Sequence, residues 1–296
     1  MINRLPTAYL TLALAVTSVG FSAIFIKGSG APGMVAALYR MAIATVIMAW
    51  PFYRQVRISG IPSFSNMKPA LLCGLLLGVE TLLWSSSVSL GGAITPTIIV
   101  NTSPLWVGIG SIIFFRTHLK TGFWIGCLIA LLGTGITVSL DNHLEPVGLS
   151  SLLAFISSII FAAFLLLAEQ GRKHLDAISY YWIITTVACI TILATNLLFG
   201  TELVKYTVKT YINFLGLALV PQVIGWFALT YSLGKLPASL VSPSLLMQPV
   251  ITTLLAISIL GEPLNLTQIA GGVIVIIGIF LVHSNLQTVV NHEIAQ

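Results

Sequence analysis

Long apolar stretches separated by short polar connectors follow one another along the whole chain. Each stretch holds about 20 residues, which is the length of helix that crosses the roughly 30 Å hydrocarbon core of a bilayer. Ten such stretches cover residues 7–27, 33–53, 68–89, 92–115, 121–140, 147–169, 178–200, 211–233, 237–260 and 266–284. The pattern therefore predicts an all-α integral membrane protein with ten transmembrane helices.

Composition supports this prediction and limits where chemistry can occur. The 296 residues are 57% hydrophobic and 7% charged, against about 25% charged in an ordinary soluble domain. The connectors are too short to bury a core of their own, so any binding site must lie inside the helix bundle. The three cysteines fall inside predicted spans without a CxxC pair, so we predict no disulfide framework, metal site or cofactor.

The positive charges indicate orientation. With the N-terminus inside, nine of the 13 Lys and Arg residues fall in cytoplasmic segments, three fall outside, and Arg40 lies within a span. Because basic residues concentrate on the cytoplasmic side, we expect both termini to be cytoplasmic and the protein to be multi-pass in a bacterial inner (plasma) membrane. The net charge of +5 reports this bias and does not indicate a nucleic-acid partner.

The chain repeats at a shift of 145 residues without a gap. The shift places Pro104 on Pro249, Gly126 on Gly271 and Gly133 on Gly278. The two halves are then residues 1–144 and 145–296, with five spans each. Because five is odd, the second copy enters the membrane from the opposite side. Inverted repeats of this kind are typical of secondary transporters that alternate around a site at the bilayer midplane.

Several segments resemble a known family. The stretches "NTSPLWVGIGSIIFF" and "SPSLLMQPVITTLLAISILGEPLNLTQIAGGVIVIIGIFLV" are similar to the EamA domain of the drug/metabolite transporter superfamily. The segment "AALYRMAIA" resembles its second helix, with Arg40 at the family's arginine. This resemblance implies an exporter of amino acids or related small metabolites. It also implies a cavity lined by helices 1, 3, 4, 6, 8 and 9.

Arg40 and Glu80 are the charged residues that lie well inside predicted spans. Each costs about 2.5–3.5 kcal/mol at the centre of an inserting helix, so such residues face the bundle interior, pair, or mark a substrate path. Both lie roughly 11–14 Å below the outer surface at 1.5 Å per residue. They either form a buried pair that only neutralises itself or bind a solute. A further hypothesis couples transport to protons through Glu80.

The stretch "LLLGVETLLW" has two different faces. Gly74 and Gly78 lie on one side, which favours close helix packing. Trp84 and Ser87 lie within about 40° of Glu80 on the other side, so we expect these three to line a cavity. The alternative for Trp84 is an anchor at the membrane interface.

Two further spans contain interior prolines. Pro104 and Pro249 each free the carbonyl four residues earlier, and polar residues stand beside both positions. We therefore predict that Asn101 and Gln248 bind solute near the midplane; the alternative is that they hydrogen-bond neighbouring helices together.

Span 8 offers a second aromatic wall. Gln222 and Trp226 share one helical face there. We predict that Trp226 binds solute, against the alternative that it faces lipid.

The predicted function is secondary active transport of a small molecule by alternating access, in contact with the lipid bilayer. The alternative is multidrug efflux, in which Glu80 holds an organic cation. No HExxH, GxSxG, intramembrane Asp pair or nucleotide-binding loop is present in the sequence, so we predict neither an enzyme nor an ATP-driven pump.

Glu169, Glu202 and Glu262 are expected to be solvated helix-end residues. Ten spans can enclose a cavity alone, so a monomer is sufficient, although a dimer stays open.

Overall fold

The computed structural model describes residues 5–91, 94–138, 148–260 and 266–294. Within these residues the secondary structure is helical without strands, and ten segments are long and apolar enough to cross a bilayer. The predicted all-α fold with ten transmembrane helices is therefore confirmed. The α-helices are α1 Leu5–Gly20, α2 Ser22–Ser29, α3 Gly33–Ser59, α4 Phe64–Gly91, α5 Ile94–Val100, α6 Ser103–Phe115, α7 Thr121–Val138, α8 Leu149–Gly171, α9 Ala177–Leu198, α10 Val208–Leu217, α11 Phe227–Leu233, α12 Ala238–Ser244, α13 Gln248–Leu260 and α14 Leu266–Ile294.

Four of the ten spans are interrupted. Span 1 consists of α1 and α2, and span 4 of α5 and α6. In span 8 the π-helical segment Ala218–Trp226 joins α10 to α11, and in span 9 the 3₁₀ turn Leu245–Met247 joins α12 to α13. Spans 4 and 9 break where the interior prolines predicted it, because Pro104 and Pro249 cannot donate to the preceding turn.

The break in span 1 has a different cause, since no proline lies near it. Gly20 ends α1, and a β-carbon there would lie 2.7 Å from Cγ2 of Ile251 in α13. The next residue of α13, Thr252, donates its hydroxyl to the carbonyl of Gly20 at 2.7 Å. A neighbouring helix thus occupies the space beside Gly20 and satisfies its carbonyl, as broken membrane helices require.

Helix α4 packs through its glycine face, as the sequence predicts. A β-carbon on Gly74 would lie 2.9 Å from the carbonyl oxygen of Ile184, and one on Gly78 would lie 2.8 Å from Cβ of Thr191. Both contacts are with α9. Small residues allow such close approach, which supplies much of the packing energy between helices in a membrane. Glu80 is consequently turned toward the centre of the bundle.

The last helix of each proposed repeat, α7 and α14, also cross through glycines. A β-carbon on Gly126 would lie 2.7 Å from the carbonyl oxygen of Gly278, and one on Gly133 would lie 2.7 Å from that of Gly271. The backbones therefore touch at two levels, and any side chain at these positions would push the helices apart.

We call the end of the bundle where α1 begins the N-terminal end, and the end where α2 finishes the far end. At the N-terminal end, Glu169 accepts a hydrogen bond from the backbone N–H of Ala238 at 2.7 Å. Arg172 donates to the carbonyl of Thr230 at 3.1 Å and to that of Leu175. The end of α8 thus holds the connection between α11 and α12. Glu169 is a helix-end residue as expected, but it is partly buried and caps the start of α12 instead of being fully solvated. Glu202 is exposed, and Glu262 lies outside the described residues.

Candidate solute-binding cavity

A cavity of about 410 Å³ lies among the interrupted spans, on the far side of their breaks. Its wall comes from α1 to α7, from Phe161 of α8 and Trp226 of the π-helical segment, and from both parts of span 9. Ser22 and Ile26 in α2 and Thr81 and Trp84 in α4 place it in the half of the bundle nearer the far end. The six residues predicted to bind solute all line it: Arg40, Glu80, Trp84, Asn101, Trp226 and Gln248.

Glu80 is the acidic group of the cavity and is 9% exposed. Its carboxylate accepts a hydrogen bond from the hydroxyl of Ser157 at 3.1 Å and a longer one from Thr81 at 3.4 Å. Hydrogen bonds of this kind stabilise a buried carboxylate. Ser157 belongs to α8 and was not singled out from the sequence. The sequence pattern that could have indicated it is a row of small residues on one face of α8: Ser150, Ala154 and Ser157.

Arg40 is the basic group of the same cavity. It makes no hydrogen bond and no ion pair within 4.0 Å to Glu80 or to another residue that the structure describes, and its Nε is buried without a partner. It is still close enough to interact electrostatically with Glu80 and with Tyr181. The two charged groups therefore share one cavity without direct contact.

The aromatic part of the wall combines Trp84 with an aromatic cluster around Trp226. The indole of Trp226 meets the rings of Phe161 and Phe164 edge-on, with centroids 6.1 and 5.8 Å apart. Edge-to-face pairs at this separation hold the rings in fixed orientations. The indole Nε1 is buried and has no hydrogen-bond partner among the described residues. Trp226 is packed within the bundle, so the alternative of a lipid-facing ring is wrong.

Two neighbours expected beside these residues lie elsewhere. Gln222 turns away from the cavity and pairs with Tyr181. The Tyr181 hydroxyl donates to the backbone carbonyl of Gln222 at 2.6 Å and accepts from the side-chain Nε2 of Gln222 at 3.2 Å. Ser87 donates to the carbonyl of Ser150 at 2.7 Å and so joins α4 to α8. The hydroxyl of Ser87 and Nε2 of Gln222 are used in helix packing, while Oε1 of Gln222 is buried without a partner among the described residues. Neither residue lines the cavity, so the prediction that they do is wrong.

The helix breaks bring polar groups to the cavity. Asn101 lies directly after α5, and Gln248 begins α13. Around them stand six hydroxyl-bearing residues of the wall: Thr97, Ser103, Thr137, Ser242, Thr252 and Thr253. The hydroxyls of Ser22 and Ser242, like Nε of Arg40 and Nε1 of Trp226, are buried without a partner among the described residues. Because buried polar groups are nearly always hydrogen-bonded, this set marks where a polar ligand or water fits.

Titratable groups elsewhere are scattered. In the part of the chain that the structure describes, no three His, Cys, Asp or Glu residues lie together in a way that suits a metal ion. His118 and His174 are exposed, His283 is partly buried in α14, and His143 lies outside the described residues.

Comparison with known proteins identifies the family. The model of the EamA-like transporter family matches the chain twice, over residues 6–139 and 148–284. The chain belongs to the EamA-like transporter family. The two EamA matches together cover most of the chain, which agrees with the resemblance seen in the sequence.

Two relatives illustrate how far the similarity extends. An uncharacterized transporter of Archaeoglobus fulgidus is 27% identical over 289 residues, which is 93% of this chain and 98% of that protein. The uncharacterized transporter YdfC of Bacillus subtilis is 24% identical over 254 residues, covering 82% of this chain and 79% of YdfC. This EamA protein is therefore a membrane transporter whose named relatives do not specify a substrate.

A solved structure supports the fold. A crystal structure described only as that of a protein matches with a TM-score of 0.80 at 14% sequence identity, covering 93% of this chain and 97% of that one. At this identity the likeness concerns the fold of the EamA chain alone.

Proposed function

We propose that the chain is a secondary active transporter that exports amino acids or related small zwitterionic metabolites by alternating access. The observation that carries the proposal is the placement of Arg40 and Glu80 on one cavity without an ion pair between them. Unpaired charges inside a membrane are costly and mark binding sites. A solute with one positive and one negative group can satisfy both at once.

The chemistry of the wall assigns each end of such a solute. The carboxylate lies against Arg40, where the unpaired N–H of Trp226 and the hydroxyls of Ser22 and Ser242 add donors. The ammonium group lies against Glu80, which Ser157 holds in place. The apolar side chain of the solute contacts the aromatic rings. Asn101 and Gln248 bind it from the two helix breaks.

The proposed halves, residues 1–144 and 145–296, supply the alternation as inverted repeats. The 145-residue shift turns the contact of Gly126 with Gly278 into that of Gly271 with Gly133, and both contacts are present. This reciprocity supports a pseudo-twofold axis between α7 and α14. Inverted repeats allow two bundles to exchange open ends around a fixed site.

Multidrug efflux is a second candidate function. The combination of Trp84, Trp226 and Phe161 with the carboxylate of Glu80 suits an organic cation, because aromatic faces attract cations. Arg40 on the same wall repels such a cation, and for this reason we favour the zwitterion.

The proposal includes the setting of the transporter. It places the protein in a bacterial inner membrane with both termini cytoplasmic, so the cavity of this structure faces outward. A monomer is sufficient for the cycle, and Glu80 is the group through which protons would be coupled.

Counterflow into proteoliposomes tests the proposal. A panel of radiolabelled amino acids, their decarboxylated amines and quaternary ammonium ions is offered to the wild type, Glu80→Gln and Arg40→Gln, with Glu202→Gln as a control that removes an exposed carboxylate. We expect amino-acid counterflow in the wild type and the control, and its loss in both cavity variants. Each lost charge-assisted contact corresponds to about 1.5–3 kcal/mol, or roughly ten- to hundredfold in affinity.

The panel also separates the alternatives. Counterflow of quaternary ammonium ions that survives Arg40→Gln and disappears in Glu80→Gln would favour multidrug efflux. Absence of counterflow with every compound would overturn the substrate proposal. A pH-sensitive dye inside the vesicles reports coupling, and uptake by Glu80→Gln that is still driven fully by a pH gradient would contradict a role of Glu80 in proton transfer.

A further inference from the structure

A second hollow, of about 500 Å³, lies outside the central cavity. We call it the lateral groove: its sides are α1 and α14, and its floor is formed by Ser244, Met247 and Ile251 of span 9. Its sides include residues exposed on the membrane-facing surface, Ala13 and Thr17 of α1 and Ile276 and Phe280 of α14. The groove is therefore open toward lipid.

The groove is apolar along its length and polar at one end. Tyr9 and His283 stand together at the N-terminal end of the bundle, with ring centroids 6.0 Å apart. Nε2 of His283 lies 2.9 Å from the hydroxyl of Ser244, which also donates to the carbonyl of Leu240 at 3.0 Å. This bond to Ser244 involves only the Nε2 atom of His283. Its Nδ1 is left for a group outside this pair.

The groove extends over about two-thirds of the depth of one leaflet. Tyr9 and Val16 are seven residues apart on α1, and Ile276 and His283 are seven apart on α14, so each wall is about 10 Å long at 1.5 Å per residue. One leaflet contributes about half of the roughly 30 Å hydrocarbon core. The polar end lies near the headgroups of the leaflet at the N-terminal end, and the apolar part points toward the bilayer centre.

We propose that the lateral groove binds one acyl chain of a phospholipid from the leaflet at the N-terminal end, with the headgroup at Tyr9 and His283. The floor is the reverse side of the 3₁₀ turn and of α13, whose other face lines the solute cavity through Gln248 and Thr252. The bound chain therefore contacts the break in span 9 from behind. This site is independent of the solute that the cavity takes.

Photocrosslinking tests this site directly. The wild type is reconstituted into phosphatidylethanolamine and phosphatidylglycerol vesicles that contain a small fraction of phospholipid with a diazirine in its acyl chain, and crosslinked peptides are mapped by mass spectrometry. We expect crosslinks on Val16, Ile251 and Ile276 to exceed severalfold those on exposed membrane-facing residues such as Leu132 and Ile190.

Two tryptophan substitutions provide the matched comparison. Ala13→Trp fills the groove from an exposed position, whereas Leu14→Trp changes the adjacent exposed residue that does not line it. We expect the first to remove most of the groove crosslinks and the second to leave them. Evenly spread crosslinks, or equal labelling of both variants, would overturn the proposal. Competition by an excess of a quaternary ammonium amphiphile that shows counterflow would also overturn it, because the occupant would then be a solute in transit.

Discussion

At the scale of single residues, the position of Ser157 gives Glu80 a defined orientation. Its hydroxyl lies 3.1 Å from one carboxylate oxygen, whereas the neighbouring Ser158 donates to the carbonyl of Phe155 in its own helix at 2.8 Å. Two adjacent serines thus have different tasks. A carboxylate held from one side presents its remaining acceptor capacity to the cavity.

Ser157→Ala tests this positioning. Removing one hydrogen bond to a charged group costs about 1.5–3 kcal/mol, so we expect the apparent affinity for the transported solute to fall roughly ten- to hundredfold. Ser158→Ala is the matched control and is expected to bind as the wild type does. Solute affinities from counterflow at several concentrations check this. Equal behaviour of the two variants would mean that Ser157 does not position Glu80.

Part of this site could be predicted from the sequence. Hydrophobicity and depth along each span placed Arg40, Glu80 and Trp84 correctly on one cavity, because a charge in a membrane helix has few places to go. The separation of Arg40 from Glu80 depends on how α3 and α4 cross. The turning of Gln222 toward Tyr181 depends on α9 in the same way. Neither arrangement can be derived from the residues of one helix.

At the scale of helices, the crossing of α7 and α14 is limited by glycine. Gly278 of α14 faces Ala130 and the carbonyl oxygen of Gly126, whereas a β-carbon on Gly135 of α7 would have no neighbouring atom within 4 Å. One glycine is required for a close approach and the other is not. Alanine substitutions at these two positions therefore distinguish the effect of helix packing on stability from the intrinsic effect of replacing glycine in a helix.

Gly278→Ala is expected to destabilise the protein. Overpacking of a close contact costs about 1–3 kcal/mol, whereas Gly135→Ala adds a methyl group in open space and gains helix propensity. The measurement is thermal stability in detergent, followed as the monodisperse fraction after heating. If the Gly278→Ala protein is as stable as the Gly135→Ala protein, the close contact between α7 and α14 does not contribute to thermal stability.

Breaks in the helices were predictable only where proline causes them. Pro104 and Pro249 indicated the interruptions of spans 4 and 9 correctly. The break at Gly20 depends on Ile251 and Thr252, which lie more than 200 residues away in the chain. The π-helical segment of span 8 contains Pro221 and packs against α1 and α3; its widened turn was not predicted from the sequence.

At the scale of the whole molecule, the two ends of the bundle differ. The cavity lies toward the far end, while Glu169 and Arg172 hold the connection between α11 and α12 at the N-terminal end. Positive charge concentrates at the same end, including exposed Arg54, Arg57 and Lys120. This charge distribution is what supports the proposal that the N-terminal end is cytoplasmic, because basic residues concentrate on that side of a membrane.

Cysteine labelling tests this orientation. Ser63→Cys places a thiol in the connector at the N-terminal end, and Glu202→Cys places one in the connector at the far end; both positions are exposed. We expect a membrane-impermeant maleimide to label Glu202→Cys in intact cells and Ser63→Cys only after permeabilisation. The wild type is the background control: Cys73 and Cys127 are buried, and the partly exposed Cys189 lies within the membrane-spanning helix α9. The reverse pattern would invert the topology and turn the proposed exporter cavity inward.

The bond between Thr252 and the carbonyl of Gly20 has a consequence for motion. Spans 1 and 9 come from distant parts of the chain, yet the first turns of α13 contact the break in span 1, and Ile251 occupies the space beside Gly20. Because the two helices are in contact here, we expect a movement of α13 to be transmitted to span 1. A solute that displaces Gln248 is therefore expected to shift the break in span 1 as well. Spans 1 and 9, which are far apart in the sequence, are then expected to move together.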